Sequence, residues 1–196
     1  PLVSGKRVKK TRWIEAPDAE LKAAQRWLLD NLLYQLPPTT FAHGFVPGRS
    51  ILTNASHHVG RRWVVTADIR DFFPSISAAR VHDCLAELDL DETQRQTVTQ
   101  LVTRRGRLPQ GAPTSPHLAN LVARSLDLRL AGLAESHGWT YTRYADDLTF
   151  SSGSTTSADS LESDRGLLPP QELLWVIERI VADEHFRLAD DKTHVM

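Results

Sequence analysis

A single cysteine, Cys84, stands among 196 residues, so the chain holds no internal disulfide framework and no Cys-rich zinc site. A reducing cytoplasm is the simplest compartment for such a composition. No apolar run approaches the roughly 18 residues of a membrane span, and the opening residues do not read as a signal peptide, so no membrane partner is expected. Positive charge is not in surplus either. Lys and Arg number 23 against 24 Asp and Glu, for a formal net charge of -1. The whole chain is therefore no polycation, and any hold on nucleic acid has to come from local clusters. Such clusters exist at Lys6, Arg7, Lys9, Lys10 and Arg12, at Arg61-Arg62, and at Arg104-Arg105-Gly106-Arg107. The phosphate-cradling G-x-x-x-x-G-K-[ST] and the zinc-binding H-E-x-x-H are both missing, and no internal repeat is visible. What remains is enough chain for one compact unit with a sizeable core, or for a large piece of a bigger one.

The most informative stretch is Thr142-Arg143-Tyr144-Ala145-Asp146-Asp147-Leu148-Thr149-Phe150-Ser151. Trp139 to Tyr144 is aromatic and Thr-rich, and Leu148 to Ser151 alternates apolar with hydroxyl, so both read as strands. A hairpin with the acidic pair at its tip follows. Two like charges at a tight turn repel each other, and a hard divalent cation such as Mg²⁺ would offset that while also holding substrate phosphates. Asp190-Asp191, by contrast, reads as an ordinary polar turn. Upstream, Trp63 to Ile69 is a run of β-formers, expected to be buried on both faces, with Asp68 at its end. In a period-two strand Asp68 shares a face with Val64 and Thr66. A carboxylate there is costly to bury without a cation.

The remaining pattern is mostly helical. Asp18 is placed to cap a helix to about Leu36, with Leu21, Ala24, Leu28, Leu32 and Leu36 as its stripe and Pro37-Pro38 as its stop. Residues 5–16 suggest a basic strand pair. Further helices are predicted over 51–59, 78–88, 92–103, from Ser115 to about His137, and over 171–185 with Leu174, Ile177 and Val181 in register. Residues 109–116 form a Pro-rich loop, 152–170 a polar insertion, and 193–196 a final strand. This order fits an α+β unit with helices backing an antiparallel sheet.

Tyr-Ala-Asp-Asp between strands resembles the catalytic hairpin of reverse transcriptases. Thr66-Ala67-Asp68-Ile69-Arg70-Asp71-Phe72-Phe73-Pro74-Ser75-Ile76 is similar to the family's first catalytic motif, and Arg107-Leu108-Pro109-Gln110-Gly111-Ala112-Pro113-Thr114-Ser115-Pro116 to its nucleotide and template loop. Ala42-His43-Gly44-Phe45-Val46-Pro47-Gly48-Arg49-Ser50-Ile51, followed by an N-A-x-x-H match at Asn54 and His58, resembles bacterial retron members. On an ordinary helix those two residues, four apart, would simply cap or hydrogen-bond a core edge.

The resemblance implies a right-hand polymerase palm over 61–196, interrupted by the 152–170 insertion, after a partial fingers region with a retron-like insert over 1–60. The thumb and the opening of the fingers are expected to be missing, and Pro1 and Met196 read as fragment ends. It implies an RNA-directed DNA polymerase in which Asp68, Asp146 and Asp147 bind two Mg²⁺ ions about 4 Å apart. Arg12 would lie on the triphosphate, Phe73 under the incoming sugar and Gln110 at the nucleotide or template. Lys192 would stand near the pyrophosphate as a candidate general acid, and Asn54 and His58 toward RNA. Implied partners are an RNA template, the DNA product, deoxynucleoside triphosphates and a retron effector protein, in a bacterial cytoplasm and in antiphage defence. The alternatives are a group II intron or diversity-generating reverse transcriptase, or a non-catalytic RNA-binding palm scaffold. The intact aspartates argue against the scaffold. A palm-fold nucleotide cyclase would need a Gly-Gly-Asp/Glu-Glu-Phe turn that is not there.

Overall fold

The computed structural model describes residues 14–153, 168–189 and 193–195. Arg12, Lys192, nearly all of the expected basic strand pair and residues 154–167 of the expected insertion lie outside the described residues.

Among the described residues four strands form one antiparallel sheet: β1 (Trp63–Asp68), β2 (Thr140–Tyr144), β3 (Asp147–Ser152) and β4 (His194–Val195), in the order β2-β3-β1-β4. The pleat sorts their residues by face. Val65, Ala67 and Ile69 of β1 and its extension are buried on one side with Leu148 and Phe150 of β3. Leu148, Phe150 and Ile69 have no exposed surface, and burial of each contributes about 1.5–3 kcal/mol. The opposite face carries Thr66, Asp68, Asp147, Thr149 and Thr142. Val64 and Thr66 are only half-buried, so β1 is not closed on both faces as its composition suggests. An antiparallel sheet can keep one face polar where a parallel one cannot.

Helix α1 (Ala19–Asn31) starts where expected, with the Asp18 carboxylate accepting the Leu21 N–H at 2.9 Å. It ends earlier than Leu36. A 3₁₀ turn at Leu33–Gln35 replaces its last part, and the buried His117 donates Nε2 to the carbonyls of Leu33 and Leu36 at 2.9 and 3.1 Å. Tertiary hydrogen bonds to those carbonyls replace the continuation that periodicity predicted. The buried face is also rotated: Ala24 is exposed, and Gln25 is buried with its amide on the Leu101 carbonyl at 2.8 Å.

Helix α2 (Ile51–Ser56) is closed by a reciprocal Ser50–Thr53 capping box. A one-turn α3 (Phe72–Ser75) that the sequence reading lacked follows β1. Helices α4 (Ala78–Cys84) and α5 (Glu92–Val102) come next. The helix expected from Ser115 to His137 is two, α6 (Ser115–Val122) and α7 (Arg124–Ser136), separated at Ala123 without a glycine or proline to mark the break. Arg124 on Glu87 and Arg129 on Asp183 and Glu184 fix α7 against its neighbours. Helix α8 (Pro170–Asp183) buries Leu173, Ile177 and Val181, with Leu173 in the place expected of Leu174. Helix α7 packs on β2 and on α8, and α8 packs on β1.

Candidate active site

Strands β2 and β3 are joined by two residues, Ala145 and Asp146. Ala145 takes φ of 58°, a left-handed value of the kind that tight hairpins require and that L-residues adopt at a cost. Asp68 and Asp147 are direct partners in the β1–β3 register. The Ile69 N–H donates to the Asp146 carbonyl at 2.9 Å, and the Ala189 N–H to the Asp68 carbonyl at 2.8 Å. The backbone thus delivers Asp68, Asp146 and Asp147 to one end of the sheet. Asp68 is buried, Asp146 half-buried and Asp147 exposed.

Among the described residues no three His, Cys, Asp or Glu side chains form a closed metal-binding group. The donor chemistry still fits a hard cation, since all three residues offer carboxylate oxygens. Mg²⁺ takes one or two carboxylates together with substrate phosphates rather than an all-protein cage. Like charges directly opposed across two strands are destabilising on their own, which gives the same residues a physical use for a cation.

Beneath the turn, on the core face, lies an ionic cluster that the sequence reading missed. Arg143 and Asp127 are both completely buried. The guanidinium donates Nε and Nη2 to the two Asp127 oxygens at 2.7 Å each. Its Nη1 donates to Asn120 Oδ1 and to the Ala145 carbonyl, both at 2.9 Å. Asp127 also accepts the Tyr141 hydroxyl at 2.8 Å and the Thr39 hydroxyl at 2.6 Å. Burial works against the Arg143 charge, but Asp127 outweighs it and raises the guanidinium pKa further. Burial, and then Asp127, push the Tyr141 phenol well above its usual range. The readable signal was period two: Arg143 falls on the face of Tyr141, Leu148 and Phe150, where a charge demands a partner.

Phe72 is the core member of the Phe72-Phe73 pair, while Phe73 is half-buried. The Phe73 ring packs against Phe45 at 6.0 Å between centroids, and Gly44, beside Phe45, lies directly on the Ala145 backbone. Phe73 thus packs on the residue that follows Gly44. The Gln110 carbonyl accepts the Glu15 N–H at 2.8 Å. Asn54 is buried with Oδ1 unpartnered. His58 lies over the polar face of the sheet, with Nδ1 on the Ser151 hydroxyl and Nε2 on the Thr142 hydroxyl, both at 2.7 Å.

Burial, then His57, Arg61 and His43, lower the His58 pKa from 6.5 to about 4. As pH falls from 6.5 to 4 the unfolded chain takes up this proton before the folded one, so the stability present above pH 6.5 is lost across that window. Solvent reaches part of the ring, so a contribution on the order of 1–2 kcal/mol is expected rather than the full offset. Urea denaturation at pH 7, 5 and 4 should show this loss, and His58→Gln should flatten it. An unchanged slope in His58→Gln would assign the acid sensitivity to other groups, His43 and His117 among them, whose pKa values burial also lowers.

The family model described as reverse transcriptase (RNA-dependent DNA polymerase) matches residues 4–196. The chain belongs to that family. It is 45% identical over 203 residues to the retron Mx162 reverse transcriptase of Myxococcus xanthus, covering 94% of this chain and 41% of that protein. Against the retron Ec86 reverse transcriptase of Escherichia coli it is 44% identical over 146 residues, covering 74% of this chain and 46% of that protein. Within the family it is of the retron type, and it spans less than half the length of these relatives. Among solved structures, telomerase from Candida albicans, determined with a fragment of telomeric RNA, covers 90% of this chain with a TM-score of 0.52. It is 11% identical, this chain covers 34% of it, and the likeness is one of fold: an antiparallel palm sheet backed by helices. The family generally uses divalent metal ions. Among the described residues no helix is long and apolar enough to cross a membrane.

Proposed function

We propose that the protein carrying this chain is an RNA-directed DNA polymerase of retron type. It extends DNA on a structured non-coding RNA template in the bacterial cytoplasm, in the service of antiphage defence and with an effector protein as partner. Residues 1–60 contribute part of the fingers and 61–196 the palm. The observation that carries this reading is the meeting of Asp68, Asp146 and Asp147 at one end of the sheet.

In this reading the three aspartates hold two Mg²⁺ ions, which would activate the primer 3′-hydroxyl and neutralise the triphosphate and departing pyrophosphate. The protein's own groups do the rest. Arg12 binds the triphosphate through a guanidinium that suits phosphate geometry. Gln110 hydrogen-bonds the nucleotide or template, and Lys192 supplies a proton to the pyrophosphate. Asn54 and His58 are assigned to the RNA side. Phe73 underlies the sugar and excludes a 2′-hydroxyl by filling its space.

Primer extension by the full-length protein on an RNA template, with deoxynucleotides and Mg²⁺, is the test. Absence of extension on every primed RNA, including RNA that copurifies with the protein, would overturn the reading. Phe73→Ala should lower the ratio of kcat/KM for a deoxynucleotide over its ribonucleotide by roughly 10- to 100-fold. An unchanged ratio in an active variant means that another residue excludes the 2′-hydroxyl.

A further inference from the structure

We propose that Gly44, Asn120 and Arg143 are positioning residues for DNA synthesis: together they form a seat that fixes the backbone of the Ala145-Asp146 turn. The inference rests on the reading of Asp68, Asp146 and Asp147 as the catalytic carboxylates.

Three observations point the same way. First, segment 41–44 runs beside β2, with the Arg143 N–H donating to the Phe41 carbonyl at 2.9 Å and the His43 N–H to the Arg143 carbonyl at 2.7 Å. Second, this segment ends on the turn. A Cβ added at Gly44 would overlap the Ala145 amide nitrogen and stand 3.1 Å from the Tyr144 carbonyl carbon. Gly44 is not in the left-handed region, so its missing side chain answers to space and not to backbone freedom. Third, Asn120 and Arg143 tie segment and turn into one body. The Asn120 amide donates to the Gly44 carbonyl at 2.9 Å while its oxygen accepts from Arg143, and the same Arg143 Nη1 holds the Ala145 carbonyl.

The Arg143 charge cannot serve a substrate phosphate. The side chain has no exposed surface, and Asp127 holds it bidentately from the core side. What it does at the site is geometric. A planar guanidinium donates in fixed directions, so one group can address Asp127, Asn120 and Ala145 at once, where a lysine ammonium could not. Ala145 is held in a left-handed conformation by bonds on its core side, and Asp146 is held on its other flank by Ile69 N–H. The carboxylates therefore sit on a turn gripped from both sides. Displacements near 1 Å at reacting groups are enough to cost about 100-fold in rate.

The test uses Gly44→Ala in the full-length protein, with Asn120→Ala as a second variant and Gly132→Ala as control, since a Cβ at Gly132 meets nothing. Two readouts are taken. One is single-nucleotide extension per folded molecule across a Mg²⁺ titration. The other is amide hydrogen exchange at Ile69, whose N–H is bonded to Asp146. For Gly44→Ala and Asn120→Ala we expect kcat to fall at least about 10-fold, with KM for the deoxynucleotide within about 3-fold. The Mg²⁺ midpoint should rise and Ile69 exchange should quicken, while Gly132→Ala matches wild type. Unchanged exchange in both variants overturns the seat whatever the activity shows. Quickened exchange with wild-type kcat overturns its role in synthesis, as does a loss of activity that disappears once counted per folded molecule. A wild-type protein that makes no DNA overturns the catalytic reading beneath, a separate failure, because the exchange arm still decides whether the turn is seated.

Discussion

Asparagine in place of Asp68, Asp146 or Asp147 is expected to lower DNA synthesis by at least about 1000-fold, close to 4 kcal/mol of barrier. The substitution is nearly isosteric, so it removes charge and little else. Asp68 and Asp147 are opposed in register, and Asp146 is the neighbour of both through the turn and the Ile69 bond. Losing one charge weakens the hold on cations that two or three carboxylates share. Activity and stability should therefore part company, with extension abolished and the denaturation midpoint little changed in Asp68→Asn and Asp147→Asn. Asp83→Asn, on the exposed side of α4, serves as the control. Wild-type extension rates in all three variants would remove the polymerase assignment. A parallel collapse of stability would mean that the aspartates hold the sheet rather than the reaction.

The acidic turn was legible from sequence because its signals are local. Two strand-like runs bracket Asp146-Asp147, and period two puts Asp68 on the right face of its strand. Their meeting is a matter of register, and the β1–β3 pairing supplies it. The break at Ala123 was not legible, since no glycine or proline marks it, and the ion pairs that hold α7 beyond it join Arg124 and Arg129 to carboxylates far away in the chain. The short end of α1 has the same origin in His117, more than eighty residues away. Gly44 shows the limit most plainly. With Pro47 and Gly48 it suggests a loop, but only the fold shows that the loop ends on the acidic turn. Arg143 lies within the motif, and its role follows from the strand face it takes. Local chemistry reads from sequence where period and turn residues carry it. Supporting bonds that join positions far apart do not.

Asp127→Ala is expected to cost about 3–5 kcal/mol, a large share of the roughly 5–15 kcal/mol of an ordinary domain. Asp127 has no exposed surface and accepts from Arg143 twice, from Tyr141 and from Thr39. Removing it leaves the Arg143 guanidinium charged with no exposed surface, beside a phenol and a hydroxyl that have lost their acceptor. Neutralisation offers little escape, because a guanidinium stays protonated under all ordinary conditions. Asp127→Asn should lie between Asp127→Ala and wild type, since an amide keeps one acceptor and turns a donor toward the cation. Tyr141→Phe removes a donor and leaves Asp127 its other three bonds, so it should cost only about 0.5–1.5 kcal/mol. Joining Asp127→Ala with Arg143→Ala should cost clearly less than the sum of the two, because the second change removes the charge that the first left stranded. Urea denaturation at pH 7 of the five variants, the single Arg143→Ala included, measures the order directly. If Asp127→Ala cost no more than Tyr141→Phe, the Arg143 charge would have to be matched by some group other than Asp127, and the account of what holds the core side of the turn would fail.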